Sequence, residues 1–111
     1  MSERLDTETE IRAARVRAGF ALYVRGQATE AALHDAAGNL VRHLVEHGVA
    51  PEGAIRCVKQ SIPWAELIAL PVNEAAGHDP TRARDALVRW TISAYFRERE
   101  LAKKDGRLRE A

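Results

Sequence analysis

Two long segments of this chain place apolar residues on two opposite sides of a helix. They run from Glu8 to Arg25 and from Pro80 to Leu101. A surface helix of a globular domain normally has one apolar stripe and a polar face toward water. A helix with two apolar stripes has to bury both, against helices of the same chain or against a partner. The pattern therefore predicts an assembling helical module.

The two stripes of each helix follow from the period of about 100° per residue. The first helix has Ile11, Ala14, Ala18 and Leu22 on one side, and Ala13, Val16, Phe20, Tyr23 and Val24 on the other. The last helix has Ala83, Leu87, Trp90, Ala94 and Leu101 on one side, and Val88, Ile92, Tyr95 and Phe96 on the other. The segment from Glu30 to His47 has a single apolar stripe, which is typical of a bundle helix.

Start and stop signals separate the first helices. Thr7 and Glu10 make a capping box, and Gly26 is the expected end of the first helix. Thr29 is the predicted N-cap of the second helix, which Gly48 ends.

A third helix is predicted from Pro51 to about Ser61, because proline is favoured in the first turn of a helix. A short separate helix is predicted from Trp64 to Leu70, and Asp79 with Pro80 opens a last helix that reaches about Lys104. No alternating strand pattern competes. We predict an all-α fold, a small four- to five-helix bundle over residues 8–104, with a disordered tail at 1–7 and a frayed tail at 105–111.

Composition narrows the class of protein. The 111 residues suffice for one domain and are too few for two. The net charge is only +1, so we expect no strong overall electrostatic attraction to nucleic acid or anionic lipid. The single cysteine, Cys57, excludes an intrachain disulfide, and no apolar run approaches the roughly 20 residues that span a bilayer. A cytoplasmic protein without membrane contact is expected.

The double stripes predict self-association, because four short helices of one monomer can hardly cover all of them. The expected homodimer has the first and last helices at its interface. The predicted interface residues are Val16, Phe20, Tyr23, Val24, Val88, Ile92, Tyr95 and Phe96. The alternative is that the middle of the chain, including Trp64 and Leu67, folds back over these faces within one subunit.

His34 is the most interesting single residue, because Gly38 follows it by one helical turn. This local pattern is similar to histidine phosphotransfer domains, which are four-helix bundles of about this size. The resemblance implies that His34 is a phosphoacceptor and that the glycine leaves room for a docking partner. The lysine that this family places three positions after the histidine is Ala37 here, and Arg42 lies two turns beyond His34. The alternative is a histidine packed at the border of the core.

Other chemistry-bearing residues give no catalytic or metal-binding motif. His43 and His47 project from one side of a helix, but a stable metal site needs a third or fourth ligand. Cys57 has apolar neighbours and no histidine close in sequence, which favours a buried core residue. Glycine-rich phosphate loops, nucleophile elbows and paired carboxylates are missing from the sequence. We expect a non-enzymatic protein without metal or cofactor.

The C-terminal run from Arg97 to Glu110 alternates basic and acidic residues, which predicts a solvated helix extension. The alternative is weak nucleic-acid binding through the basic side chains of this helix, namely Arg97, Arg99, Lys103, Lys104, Arg107 and Arg109.

Two segments, Gly48 to Lys59 and Leu87 to Arg97, resemble short uncharacterised all-helical bacterial proteins. The shared pattern is a Pro-Glu helix start followed later by an Arg-Trp…Tyr-Phe-Arg helix. The resemblance implies no site and no substrate. The function expected from the sequence is a small helical interaction or regulatory module that binds itself and another protein.

Overall fold

A computed structural model describes residues 3–62 and 78–104, with side chains from Thr7 onward. These residues form four α-helices and no β-strand: α1 (Glu3–Val24), α2 (Glu30–Glu46), α3 (Pro51–Ser61) and α4 (Pro80–Lys104). The prediction of an all-α bundle is confirmed at the level of four helices. The fifth helix predicted from Trp64 to Leu70 and the tail predicted at 105–111 lie outside the described residues.

The first helix begins earlier than its capping box suggests. It starts at Glu3, so residues 3–7 are helical where a disordered tail is predicted. A capping box is only one way to begin a helix. The segment upstream of Thr7 contains Glu, Arg and Leu, which are good helix formers, and acidic residues are favourable near a helix N-terminus.

The glycine stops are confirmed by their hydrogen bonds. At the end of α1, Gly26 has φ +76°, its N–H donates to the Tyr23 carbonyl at 3.0 Å, and the Gln27 N–H donates to the Leu22 carbonyl at 2.8 Å. This is the Schellman pattern, in which a left-handed residue satisfies the last carbonyls of the helix. Gly48, with φ +74°, ends α2 by the same pattern.

The predicted starts of α2, α3 and α4 are confirmed. The Thr29 hydroxyl accepts from the Ala32 N–H at 3.1 Å at the start of α2. Pro51 occupies the first turn of α3, where its missing N–H costs nothing. At the start of α4, the Asp79 carboxylate accepts from the Arg82 N–H at 3.3 Å.

Among the four described helices, α2 packs on α1 and α4, and α3 packs on the same two helices and less extensively on α2. Trp90 lies against Gly38 and Glu98 bonds to Arg42, so α2 and α4 run in the same direction. Within the described residues, α1 and α4 have no extensive direct contact, and the end of α1 approaches the residues before α4, where the His78 N–H donates to the Val24 carbonyl at 2.9 Å.

The core between these helices is formed by aliphatic and aromatic side chains from all four. The largest fully buried ones are Phe20, Leu40, Leu87, Val16, Val24, Val41, Val45, Val58 and Thr91. Thr91 is satisfied there because its hydroxyl donates to the Leu87 carbonyl at 2.7 Å. At the C-terminus of α3, the guanidinium groups of Arg17 from α1 and Arg84 from α4 donate hydrogen bonds to backbone carbonyls.

Alanine substitution at two glycines should have opposite effects on stability. Gly38→Ala is expected to raise the free energy of unfolding by about 0.5–1 kcal/mol, because Gly38 is inside α2 and its new Cβ meets only Trp90, at 3.6 Å. Gly48→Ala should lower it by about 1–2 kcal/mol, because an L-residue is strained at φ +74° even in open space. Urea denaturation measures the free energy of unfolding of both variants and of the parent chain. Equal signs would contradict the assigned backbone conformations.

Candidate functional site

Half of the predicted interface lies inside the subunit. Val16, Phe20 and Val24 are fully buried between the helices. Tyr95 is also buried, and its hydroxyl donates to the Val49 carbonyl at 2.6 Å. The reason is packing: this side of α1 faces the core that the four described helices share. These four side chains are not part of the surface of the folded subunit.

The other four predicted interface residues retain solvent exposure to different degrees. Ile92 and Phe96 are 40% and 49% exposed on α4. Val88 and Tyr23 are half-buried, and the Tyr23 ring stacks on His78 with centroids 4.1 Å apart. Ile92 and Phe96 therefore form the part of the predicted interface that is available to a partner, and we call them the α4 patch.

The outer face of α1 carries the second exposed apolar surface. Ile11 and Leu22 are 44% and 41% exposed, with exposed Ala14 and Ala18 between them. We call these four residues the α1 stripe. All large hydrophobic side chains that are exposed among the described residues belong to α1 or α4: Ile11, Leu22, Ile92, Phe96 and Leu101. The α1 stripe and the α4 patch belong to different helices, which have no extensive contact with each other in the described residues.

His34 is packed against an aromatic ring of α4. Its imidazole is half-buried and stacks on Trp90, with centroids 4.3 Å apart and planes inclined by 10°. The Arg97 guanidinium lies 5.9 Å from the same Trp90 ring, a cation–π distance. This arrangement agrees with a histidine at the border of the core, and it also leaves His34 facing a polar groove.

That groove lies between α2 and α4 and has a volume of about 300 Å³. It is lined by His34, Asp35, Gly38, Asn39, Arg42, Trp90, Arg97 and Glu98. The Arg42 Nε donates to the buried Glu98 carboxylate at 3.4 Å, across the two helices. The groove thus contains two guanidinium groups, from Arg42 and Arg97, together with His34. Position 37, where histidine phosphotransfer domains place a lysine, is alanine in this chain.

A second groove of about 280 Å³ lies between α1 and α2. Its lining is Arg12, Arg15, Asn39, Arg42, His43 and Glu46, so it shares Asn39 and Arg42 with the first groove. No sequence motif marks it, because its residues come from two helices that are distant in sequence. The spacing of Arg12 and Arg15 is the one available signal, since it places both on one side of α1.

The remaining candidates, His43, His47 and Cys57, lie in or beside the packed part of α2 and α3. His43 is buried, its ring centroid lies 4.3 Å from that of His47, and His47 Nδ1 is 2.8 Å from the His43 carbonyl. Within residues 3–62 and 78–104, no three His, Cys, Asp or Glu side chains are grouped as metal ligands. Burial raises the pKa of the Cys57 thiol, which disfavours the reactive thiolate.

The basic C-terminal helix is only partly described. Lys103 and Lys104 are exposed at its end, whereas Arg97 lies over Trp90. Arg107 and Arg109 lie outside the described residues. No helix of the described chain has the length and hydropathy needed to cross a membrane.

Comparisons with family models, curated proteins and solved structures return no match to this chain.

Proposed function

We propose that this protein is a non-enzymatic interaction module that forms a homodimer through the α1 stripe. The observation that carries the proposal is the exposure of Ile11 and Leu22 on a helix that already buries its opposite side. An amphipathic bundle helix needs only one apolar face to fold. The second face on α1 is therefore explained by contact with something outside the subunit.

The order of side-chain sizes along the α1 stripe favours a second copy as the occupant. It reads large, small, small, large from Ile11 to Leu22, with Ala14 and Ala18 in the middle. Two antiparallel copies related by a twofold axis then place Ile11 against Leu22 of the partner subunit, and the alanines allow the helix axes to approach closely. The α1 stripe of one subunit then contacts the α1 stripe of the other, as in every isologous interface.

We expect the dimer to be weak. Each copy contributes two large side chains that are already about half covered, so the additional burial is small. Association also costs translational and rotational freedom. A dissociation constant between about 10 µM and 1 mM is consistent with these magnitudes.

Sedimentation equilibrium over that concentration range tests the proposal. The weight-average mass should rise from the monomer value of 12.3 kDa toward twice that value. The double variant Ile11→Glu with Leu22→Glu should stay monomeric throughout, because it places charges that repel across a desolvated contact. Circular dichroism should confirm that the variant is folded, since both positions are exposed.

The matched control places the same two charges on the α4 patch, as Ile92→Glu with Phe96→Glu. This variant should dimerise like the parent chain. The proposal for α1 is refuted if the parent is monomeric at the highest concentration, or if the α4 variant alone abolishes association. The second result would assign self-association to the α4 patch instead.

A second candidate function is phosphotransfer through His34, favoured by the presence of Arg42 and Arg97 in the same groove. An acyl phosphate donor would transfer its phosphoryl group to an imidazole nitrogen, which loses its proton as the carboxylate leaves. Mass spectrometry after incubation with acetyl phosphate should then show an acid-labile adduct that His34→Gln removes and His47→Gln retains. An unmodified parent chain would exclude this function.

A further inference from the structure

The groove between α1 and α2 has more positive than negative charge in its lining. In the part of the chain that the structure describes, six residues line it, and they include three guanidinium groups, from Arg12, Arg15 and Arg42, and one carboxylate, from Glu46. We propose that this groove is a binding site for a phosphate-type dianion, either free phosphate or a phosphoryl group on a small molecule. Arg15 lies one helical turn after Ile11 and about one turn before Ala18, so the groove borders the α1 stripe on the same helix.

The positive potential at this place is supported by the behaviour of Glu8, a carboxylate one helical turn before Arg12. The Glu8 carboxylate accepts a hydrogen bond from Arg12 and forms an ion pair with it. Arg12 lowers the pKa of Glu8, and the charges of His43 and Arg15 lower it further. Arg12 and Arg15 of α1 and His43 of α2 thus favour a negative charge at the edge of the groove.

The arginines differ in how far they are already engaged. Arg12 is paired with Glu8, and Arg42 donates its Nε to Glu98 over 3.4 Å while its side chain stays 50% exposed. Arg15 is exposed on the turn after Arg12. An arginine has five N–H donors, so one ion pair leaves the rest of the guanidinium available to a ligand.

The set of donors favours a tetrahedral oxyanion over a single carboxylate. Arg12 and Arg15 line the groove from α1 and Arg42 lines it from α2, so guanidinium groups are present on both walls. A guanidinium binds two oxygens of one anion in parallel, and a phosphate has enough oxygens to engage more than one guanidinium. A doubly charged anion also gains more from the local positive potential than a singly charged one.

An amide NMR titration of the full chain with inorganic phosphate tests the site. The titration is done at about pH 8, where phosphate is a dianion, and at constant ionic strength with chloride as the reference anion. We expect saturable shifts of α1 around Arg12 and Arg15 and of α2 around Arg42. The double variant Arg12→Gln with Arg15→Gln should weaken binding at least ten-fold.

The matched control is Arg82→Gln with Arg89→Gln, which removes the same two positive charges from α4. Among the described residues, these arginines line a cavity of similar size together with Asp85 and Ala86. The control should keep the dissociation constant within two-fold of the parent value. Equal weakening by both variants, or shifts that increase linearly without saturation, would show non-specific charge screening and overturn the proposal.

A parallel titration with O-phosphoserine distinguishes the source of the phosphoryl group. Shifts of the same amides by both ligands support a site that recognises the phosphoryl group itself. Shifts by inorganic phosphate alone support a site for the free ion. If neither ligand perturbs the groove more than chloride does, the proposal fails, and dimerisation through the α1 stripe is unaffected.

Discussion

Replacement of Phe20 by alanine is expected to lower the free energy of unfolding by about 3–5 kcal/mol. Phe20 is 1% exposed and belongs to the core that all four helices share. Removing its ring takes away a large buried apolar surface and leaves a cavity that the packed helices fill only in part. Urea denaturation followed by circular dichroism measures the loss as a shift of the midpoint.

The control for this prediction is the same substitution on the α4 patch. Phe96 is 49% exposed, so Phe96→Ala should cost less than about 1 kcal/mol. The comparison is informative because both phenylalanines belong to the interface predicted from the sequence. A loss for Phe96→Ala as large as that for Phe20→Ala would mean that the core and the surface have been assigned to the wrong sides.

Replacement of Arg84 by methionine is expected to cost about 2–4 kcal/mol. This buried side chain of α4 caps the last turn of α3: its Nε donates to the Ile62 carbonyl at 2.9 Å, and its Nη2 donates to the Lys59 carbonyl at 3.3 Å. Methionine keeps much of the side-chain volume but has no hydrogen-bond donor. The Ile62 and Lys59 carbonyls at the end of α3 would therefore lose their hydrogen bonds from a charged group in a buried place. Hydrogen bonds to charged groups are worth more than neutral ones, about 1.5–3 kcal/mol each.

Arg89→Met serves as the control, because Arg89 is exposed on the same helix. We expect its effect to stay within about 0.5 kcal/mol. Amide hydrogen exchange adds a positional readout: Arg84→Met should lose protection first in the last turn of α3. An Arg84→Met protein as stable as the control would show that the α3 cap contributes little to folding.

The helix boundaries could largely be predicted from the sequence, because their causes are local. Gly26 takes a left-handed conformation that other residues avoid, and Thr29 carries a hydroxyl at the distance needed to cap the following helix. Both effects involve residues within five positions of each other. The start of α1 was the exception: the capping box at Thr7 identifies one competent start but does not prevent the helix from extending to Glu3.

The candidate site could be predicted only in part. The sequence identifies His34 and the glycine one turn later, because both belong to one helix. It does not predict the stacking of His34 on Trp90 or the presence of Arg12 and Arg42 in one groove, because these residues are far apart in the chain. Such contacts depend on the rotation and axial position of one helix relative to another.

The sequence by itself determined that α1 has two apolar sides, since periodicity fixes the angles of side chains around their own helix axis. Only the tertiary structure decided which side faces the core: Phe20 points inward, while Ile11 and Leu22 point outward. The physical reason is that this choice depends on the neighbouring helices. It is made by the total surface that all four helices can bury together, and no segment carries that quantity alone.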